Sequence, residues 1–284
     1  MKHVRNSEEI EIGISGIRKL TETLKTRHNF DLGIYASTSL KRRVAKTLII
    51  NELATIDELI DRLEASHSFF HQFMLQMTVS GTEFFRDPAF WRYFRDEICK
   101  IVSRNHMRIK IWIPGCSTGE EIISTAIVLT EAGIYDKSVI IATDFNEKII
   151  DNCKNKEYSN HMLEMSENNY RRFREDEGAD LGIYIEKTKN GFTFDQNIFR
   201  NVEYHVYDRE ENFKIKGFNV VICRNNFIYF TAKYQEMLLE VITKRLSANG
   251  YFAIGNKENI SFCKDASKFT LLNASEKVYK KTGL

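Results

Sequence analysis

The segment Gly115–Glu121 combines small residues with two glutamates, directly after the apolar run Ile109–Ile113. Small side chains let the backbone pass close to a ligand, and a helix that starts here offers free N–H groups. The segment has neither the Gly-Lys of a P-loop nor the spacing of a GxGxxG motif. Its carboxylates would repel a phosphate but suit a cationic or hydroxyl-bearing ligand. Taken alone, it is interpreted equally well as a tight turn whose glutamates satisfy a helix dipole.

Asp144 follows the next apolar run, Val139–Ala142. A carboxylate at the tip of a second strand can accept hydrogen bonds from both hydroxyls of a ribose. Aspartate is also a favoured helix N-cap, so this residue alone is a weak signal. Together with Gly115–Glu121, it predicts a pocket for an adenosine.

Two further segments have the composition of a ligand site. Cys223–Phe230 places polar and then aromatic residues after the apolar run Val220–Ile222, which suits either a pocket wall or a buried strand end with satisfied amides. Ser80–Arg86 lies where the character of the sequence changes. We interpret it either as a loop that covers the ligand or as a hinge whose Phe84 and Phe85 belong to the core.

The elements that must position these segments are of two kinds. From residue 10 to about residue 85, apolar residues recur at three- and four-residue steps, which predicts helices. Thr55 and Glu58 are predicted to form a capping box for a helix that begins at Ile56. From about residue 108, apolar runs alternate with helical segments, which predicts βαβ units and a parallel sheet. In such sheets ligands bind beyond the carboxyl ends of the strands, where the polar segments above fall.

Residues 158–205 interrupt this alternation. Tyr158–Glu177 has a polar, helical character. Three short segments then alternate in strand fashion: Ile183–Ile185, Phe192–Phe194 and Val202–Tyr204. We predict a small antiparallel insertion at about residues 180–205. The fold class predicted is therefore α/β, with a helical N-terminal domain over residues 1–85 and an α/β domain over residues 86–284.

The composition excludes several classes of protein. The chain has 284 residues, of which 43% are hydrophobic and 28% charged, which is ordinary for a globular protein of about two domains. With 41 basic and 39 acidic residues, no overall charge drives it toward nucleic acid or an anionic membrane. We find no apolar run long enough for a membrane helix and no signal peptide. The five cysteines lack metal-binding spacing, which predicts reduced thiols, no metal site and a cytoplasmic protein.

In their order along the chain, the four segments resemble those of the CheR-type methyltransferases, which esterify glutamate side chains of chemotaxis receptors using S-adenosylmethionine. The resemblance rests on Thr82–Arg86, Gly115–Glu121, Ala142–Asp144, Cys223–Phe230 and Gly255–Glu258, and it extends over about residues 12–262. It implies a Rossmann-like S-adenosylmethionine-dependent methyltransferase domain with the small antiparallel insertion, preceded by the all-α domain. It also implies that the cofactor is converted to S-adenosylhomocysteine when its methyl group is transferred.

The resemblance further implies roles for individual residues. Arg86 and Tyr229 would be catalytic residues that orient the substrate carboxylate, with Tyr229 near the transferring methyl group. The residues implied to bind the cofactor are Ser80, Thr82, Arg86, Gly115, Glu120, Asp144, Asp208, Arg209, Asn225 and Asn226. Within this set, Glu120 would lie near the methionine amino group and Asp144 would hold the ribose. The Asp208–Arg209 pair would lie beside the adenine.

The chain departs from the family pattern at several positions. Ser80 replaces the usual Asn, Ile122–Ile123 replaces Pro-Tyr, and Asn226–Phe227 replaces Val-Leu. Asp208 stands where the family has an amide. Two alternatives therefore stay open: a cofactor-binding signalling module with weakened catalysis, and a methyltransferase that acts on a small molecule or a nucleic acid.

A basic N-terminal segment predicts the partner. Between Arg18 and Lys46 there are eight basic and two acidic residues. The substrate-binding residues implied by the resemblance to the family's basic helix are Lys41, Arg42, Arg43 and Lys46. Such a patch would steer an acidic helical region of a methyl-accepting chemotaxis receptor or related signalling protein. A solvated charged face is the plain alternative. Because no aromatic residues interleave the Lys41–Lys46 run, we expect no nucleic-acid partner. We also expect a monomer without direct membrane insertion.

Overall fold

The computed structural model describes residues 12–78, 83–145, 147–154, 157–207 and 213–283. The chain divides into two compact units: Met1–Ser80 with Ile228–Met237, and Gly81–Phe227 with Leu238–Leu284. No helix in the described ranges is both long and apolar enough to cross a membrane. The five cysteines all lie in these ranges, are buried and form no disulfide.

Four α-helices lie wholly in the described part of the first unit: α1 Ile14–His28, α2 Ser37–Ile50, α3 Ile56–Ala65 and α4 His67–Thr78. Each buries an apolar stripe, such as Leu59 and Leu63 of α3, which is the packing that three- and four-residue spacing predicts. Thr55 caps α3 as predicted, because its hydroxyl accepts the Glu58 N–H at 3.2 Å. The Glu58 carboxylate accepts the N–H of Ala54 at 2.8 Å.

A late segment of the chain, Ile228–Met237, packs with these helices. Phe230 pairs with Tyr35 in an isolated antiparallel bridge. The Ala36 N–H, just before α2, donates to the Tyr229 carbonyl at 2.8 Å. The sequence predicted a division at residue 85 and an unbroken second domain, whereas the packing divides the units at residue 80 and adds this late segment to the helical one.

The second unit contains a seven-stranded sheet and a three-stranded sheet. The strands are β1 Ile109–Pro114, β2 Ser138–Asp144, β3 Tyr158–Ser159, β4 Ile185–Lys187, β5 Gly191–Phe194, β6 Val202–Val206, β7 Phe218–Ile222, β8 Leu246–Ala253, β9 Phe269–Asn273 and β10 Val278–Lys281. The helices wholly or partly in this unit are α5 Pro88–Tyr93, α6 Lys100–Asn105, α7 Glu120–Glu131, α8 Glu147–Lys154, α9 Asn160–Arg174 and α10 Ala232–Arg245. A π-helical segment, Phe94–Cys99, joins α5 to α6.

The large sheet is ordered β6-β2-β1-β7-β8-β10-β9. Its first five strands are parallel, and β10 runs antiparallel to both β8 and β9. In β1, Ile111 lies opposite Ile140 of β2 and Val220 of β7. All β1 residues except Lys110 are buried, as is usual for a central parallel strand. The chain passes from β1 to β2 on one side and later to β7 on the other, so the strand order reverses at β1, which is where ligands bind in this type of sheet.

The small sheet differs from its prediction in one strand. We predicted Val202–Tyr204 as part of the insertion, but this segment belongs to β6, which pairs in parallel with β2 at the edge of the large sheet. The strand that takes its place is β3, antiparallel to β5. A Cβ at Gly191 would lie 1.9 Å from the Tyr158 carbonyl oxygen, so this pairing requires glycine. The alternating pattern identified β6 as a strand but contained no information about its neighbour.

Candidate functional site

The backbone conformation of the loop after β1 is fixed by residues of positive φ and by hydrogen bonds to β2. Gly115, Ser117 and Gly119 all have positive φ, at 70°, 50° and 92°. The N–H groups of Gly115 and Cys116 both donate to the Thr143 carbonyl of β2, at 2.8 and 2.9 Å. These bonds fix the loop against the end of the neighbouring strand. A side chain at Gly119 would meet the Cys153 sulfur at 2.7 Å, so the start of α7 also packs closely on α8.

Asp144 connects the end of β2 to this loop. Its side chain is only 5% exposed. One carboxylate oxygen accepts the Ser117 N–H at 3.0 Å, and the other accepts the Phe145 N–H at 2.9 Å. Asp144 and Gly115–Glu121, which the sequence predicted to share a site, are therefore in direct contact. A carboxylate oxygen accepts more than one hydrogen bond, so this geometry suits hydroxyl groups as additional donors.

Glu120 begins α7 and is almost fully buried, with 1% of its surface exposed. The Thr118 hydroxyl donates to its carboxylate. The Tyr158 hydroxyl of β3 donates to the Thr118 carbonyl at 2.8 Å, which ties the small sheet to this loop. Burial beside Glu120 also raises the pKa of the Tyr158 phenol well above its usual value, so Tyr158 stays a neutral donor. A carboxylate held in this way at a helix N-terminus suits a cationic group of a ligand.

The loop after β7 reaches the loop after β1. Asn225 has a φ of 58°, and its N–H donates to the Glu258 carboxylate at 2.9 Å. The Asn226 side-chain amide donates to the Pro114 carbonyl at 3.3 Å. A Cβ at Gly115 would approach the same amide nitrogen to 3.3 Å. Asn226 is thus placed beside Gly115 at the carboxyl edge of β1, and Asn225 directly precedes it in the same loop.

Charged side chains surround the β7 loop, and the sequence predicted no individual role for Arg224, Asp87 or Glu258. The Arg224 guanidinium lies 2.6 Å from an Asp87 carboxylate oxygen and 3.8 Å from the centre of the Phe90 ring. Burial raises the pKa of Glu121 to about 8, with Glu258 adding to the increase and Arg224 opposing it. The sequence signal for this group is that Glu121, Arg224 and Glu258 all lie within the segments on which the family resemblance rests.

Arg86 lies in the second unit, just before α5. Its carbonyl accepts the Trp91 indole N–H at 3.0 Å. Its side chain lines a cavity of about 670 Å³, together with residues of α5, α9 and the turn before β10. Four other predicted cofactor-binding residues, Ser80, Thr82, Asp208 and Arg209, lie outside the described residues.

The predicted substrate-binding residues of the first unit differ in their exposure to solvent. On α2, Arg42 and Lys46 are exposed and Lys41 is partly exposed. Arg43, by contrast, is buried, with its guanidinium 4.5 Å from the centre of the Tyr229 ring.

Arg43 also donates to the Met77 carbonyl of α4 and lies 5.8 Å from the centre of the Tyr35 ring. We therefore correct its prediction as a substrate-binding surface residue. It packs inside the helical unit because its place on α2 is on the face that carries Val44 and Leu48, which are also buried.

Among the residues that the structure describes, no group of His, Cys, Asp and Glu side chains has an arrangement that could hold a metal ion. The groups described above at the carboxyl edge of β1, β2 and β7 are carboxylates, amides, hydroxyls and backbone N–H groups.

Comparisons with known proteins identify relatives that match most of this chain. The model of the CheR methyltransferase all-alpha domain matches residues 15–78, and that of the CheR methyltransferase SAM binding domain matches residues 80–278. Cher3 of Pseudomonas putida is 29% identical over 94% of this chain and 96% of its own length. A chemotaxis protein methyltransferase of Listeria monocytogenes is 24% identical over 89% of this chain and 93% of its own length.

Likeness to solved structures is weak. Coclaurine N-methyltransferase, bound to N-methylheliamine and SAH, is 13% identical and has a TM-score of 0.31. The match covers 58% of this chain and 35% of that one. The relationship to known proteins therefore rests on the sequence comparisons.

Proposed function

This chain belongs to the CheR methyltransferase family, and we propose that it transfers a methyl group to glutamate carboxylates of a chemotaxis-receptor-like protein. Its cofactor is S-adenosylmethionine, because the family model over residues 80–278 describes a SAM-binding domain. The proposed products are a glutamate methyl ester and S-adenosylhomocysteine. The name of the Listeria relative, chemotaxis protein methyltransferase, supports the receptor as substrate.

The observation that carries the proposal is the buried Asp144 carboxylate, which is bonded to the loop after β1 where the strand order reverses. We assign the ribose of the cofactor to Asp144 and its amino group to Glu120. Gly115, Asn225 and Asn226 would contact its remaining parts from the two neighbouring loops.

A second observation tests whether this loop fits the cofactor. The Ser117 hydroxyl oxygen is buried and has no hydrogen-bond partner among the described residues. Buried polar atoms are nearly always paired in folded proteins, so a bound polar ligand would remove this deficit. Gly115 adds a backbone that a ligand can approach without meeting a side chain. The residues present therefore fit a nucleoside with a charged tail.

Methyl transfer to a glutamate carboxylate requires that the two reactants be positioned rather than that a proton be transferred. S-adenosylmethionine supplies a methyl group that is already activated on a sulfonium sulfur. A glutamate side chain is ionised near pH 7 and needs no general base. The protein must hold the carboxylate oxygen in line with the S–CH₃ bond and exclude water, which is worth about 7–11 kcal/mol of the barrier. We assign the orientation of the substrate carboxylate to Arg86 and Tyr229.

The surface of α2 supports an acidic partner. Lys41, Arg42 and Lys46 form the basic surface of α2, a name that here excludes the buried Arg43. Cations of this kind attract an acidic helix and orient it before contact. We propose that this surface receives the receptor region that carries the target glutamates.

A radiolabelled-methyl assay tests the proposed function. The chain is incubated with membranes that carry chemotaxis receptors, and incorporated label is treated with alkali. Esters release volatile methanol under these conditions, so base-labile label that the Asp144→Ala variant does not incorporate is the expected result. Label that survives alkali would instead indicate transfer to nitrogen on another substrate. Cofactor binding without any transfer would indicate a signalling module.

A further inference from the structure

We propose that Glu258 is a positioning residue for cofactor binding, which acts by holding the loop after β7 in the conformation that presents Asn225 and Asn226. The proposal rests on the proposed function only in its choice of assay, because the cofactor itself follows from the family. Glu258 lies in the turn after β8 and is 2% exposed.

One oxygen of the Glu258 carboxylate joins the ends of two strands. It accepts the N–H of Asn225, after β7, at 2.9 Å and the N–H of Gly255, after β8, at 2.5 Å. Hydrogen bonds from backbone amides to an ionised carboxylate are shorter and stronger than those between neutral groups. The Glu258 N–H also donates to the Gly255 carbonyl at 2.9 Å, which fixes the side chain in a closed turn.

The conformation of Asn225 explains why such a support is needed. Its φ of 58° lies in the left-handed region, which asparagine adopts more readily than other residues with a side chain but which still costs free energy relative to an ordinary conformation. The strand ends are also closely packed, because a Cβ at Gly255 would lie 2.6 Å from the Asn225 side-chain nitrogen. Without the bond to Glu258, Asn225 would relax toward an ordinary conformation and carry Asn226 with it.

The displacement would reach the loop after β1. Asn226 donates to the Pro114 carbonyl, directly before Gly115, so the two loops share a hydrogen bond. A second carboxyl supports the same strand end, since the backbone amide of Arg224 hydrogen-bonds to Glu121 of α7. Two successive residues of the β7 loop are thus held by acidic side chains from different elements, and of these Glu258 holds the residue with the strained backbone.

The experiment measures the dissociation constant of S-adenosylhomocysteine by calorimetry on the full chain, well below the unfolding temperature of each variant. We expect Glu258→Ala to weaken binding about 10-fold, because two backbone N–H groups lose their acceptor. Glu258→Gln keeps an acceptor oxygen in the same place, so we expect it to weaken binding of S-adenosylhomocysteine only about 2- to 3-fold. Glu258→Asp keeps the charge but withdraws it by one methylene, so its effect should be larger than that of Glu258→Gln.

A merely structural role would lower the unfolding temperature without changing the affinity of the folded protein. The matched control is Glu240→Gln on α10, which removes an exposed carboxylate paired with Lys244 and should leave binding unchanged. In the methylation assay, the KM for S-adenosylmethionine should rise in Glu258→Asp while kcat at saturation stays within 2-fold.

Wild-type affinity in Glu258→Ala, or in Glu258→Asp if the alanine variant does not fold, would overturn the proposal. So would a larger loss in Glu258→Gln than in Glu258→Asp. Neither result would affect the proposed function, which fails instead if the wild-type chain binds S-adenosylhomocysteine but forms no base-labile product.

Discussion

The loops after β1 and β7 stabilise a residue of positive φ in a similar way. Each contains a non-glycine residue of positive φ, Ser117 at 50° and Asn225 at 58°. The N–H of each donates to a buried carboxylate, Asp144 at 3.0 Å and Glu258 at 2.9 Å. The carboxylates differ in origin, because Asp144 ends a strand of the parallel sheet whereas Glu258 lies in a turn. We infer that the Asp144 carboxylate contacts the ligand itself, whereas the Glu258 carboxylate only supports its loop.

The largest effect should separate these two roles. Asp144→Ala removes both the proposed ribose acceptor and the acceptor of the Ser117 N–H, so we expect the affinity for S-adenosylhomocysteine to fall about 100-fold. This exceeds the loss expected for Glu258→Ala, which removes support without a ligand contact. Calorimetry on both variants makes the comparison, with Asp144→Asn as the intermediate case. Losses of equal size in the two alanine variants would show that the two carboxylates do not differ in role.

The protonation of Glu121 tests the contact between α7, which follows the β1 loop, and the β7 loop. Glu121 holds its proton up to about pH 8 in the folded chain, whereas an ordinary glutamate releases it near pH 4.5. Folding therefore binds a proton between these values, and this group makes the free energy of unfolding fall as pH rises, by at most about 1.4 kcal/mol per pH unit.

Urea unfolding at several pH values from 5 to 8 measures this dependence. Glu121→Gln cannot titrate, so the difference in the free energy of unfolding between the variant and the wild type should change steadily across the range. Parallel curves for the two proteins would contradict the assignment of the proton to Glu121. Glu240→Gln again serves as the control, since its carboxylate is exposed.

The smallest effect concerns the basic surface of α2. Replacing Lys41, Arg42 and Lys46 together by alanine should raise the KM for an acidic receptor fragment about 3- to 10-fold at low salt while leaving kcat unchanged. The difference should shrink in 0.5 M salt, where charges are screened beyond about 4 Å. Lys216→Ala, an exposed cation of the second unit, is the control. A change that persists at high salt would mean that these residues do not act through their charge.

The sequence identified the segments of the candidate site because its signals are local, while the roles of the individual residues stay predictions. Small residues and acidic residues directly after buried strands are readable without a structure, since the carboxyl ends of parallel strands share one edge. Arg43 shows the limit of such reasoning. It lies among three other cations in a basic run, yet helical periodicity turns its side chain to the buried face of α2, against Tyr229 and Met77.

By itself, the sequence predicted the helices of the first unit, the strands β1, β2 and β7 with polar residues after them, and the resemblance to one methyltransferase family. It did not predict β3, β9 or β10. The tertiary structure alone decided that β6 pairs with β2, that Ile228–Met237 joins the helical unit, and that Glu258 holds the Asn225 N–H. The reason is physical. Hydrophobic periodicity depends on near neighbours along the chain, whereas strand partners and buried hydrogen bonds join residues that are distant in sequence and are chosen only when the core packs.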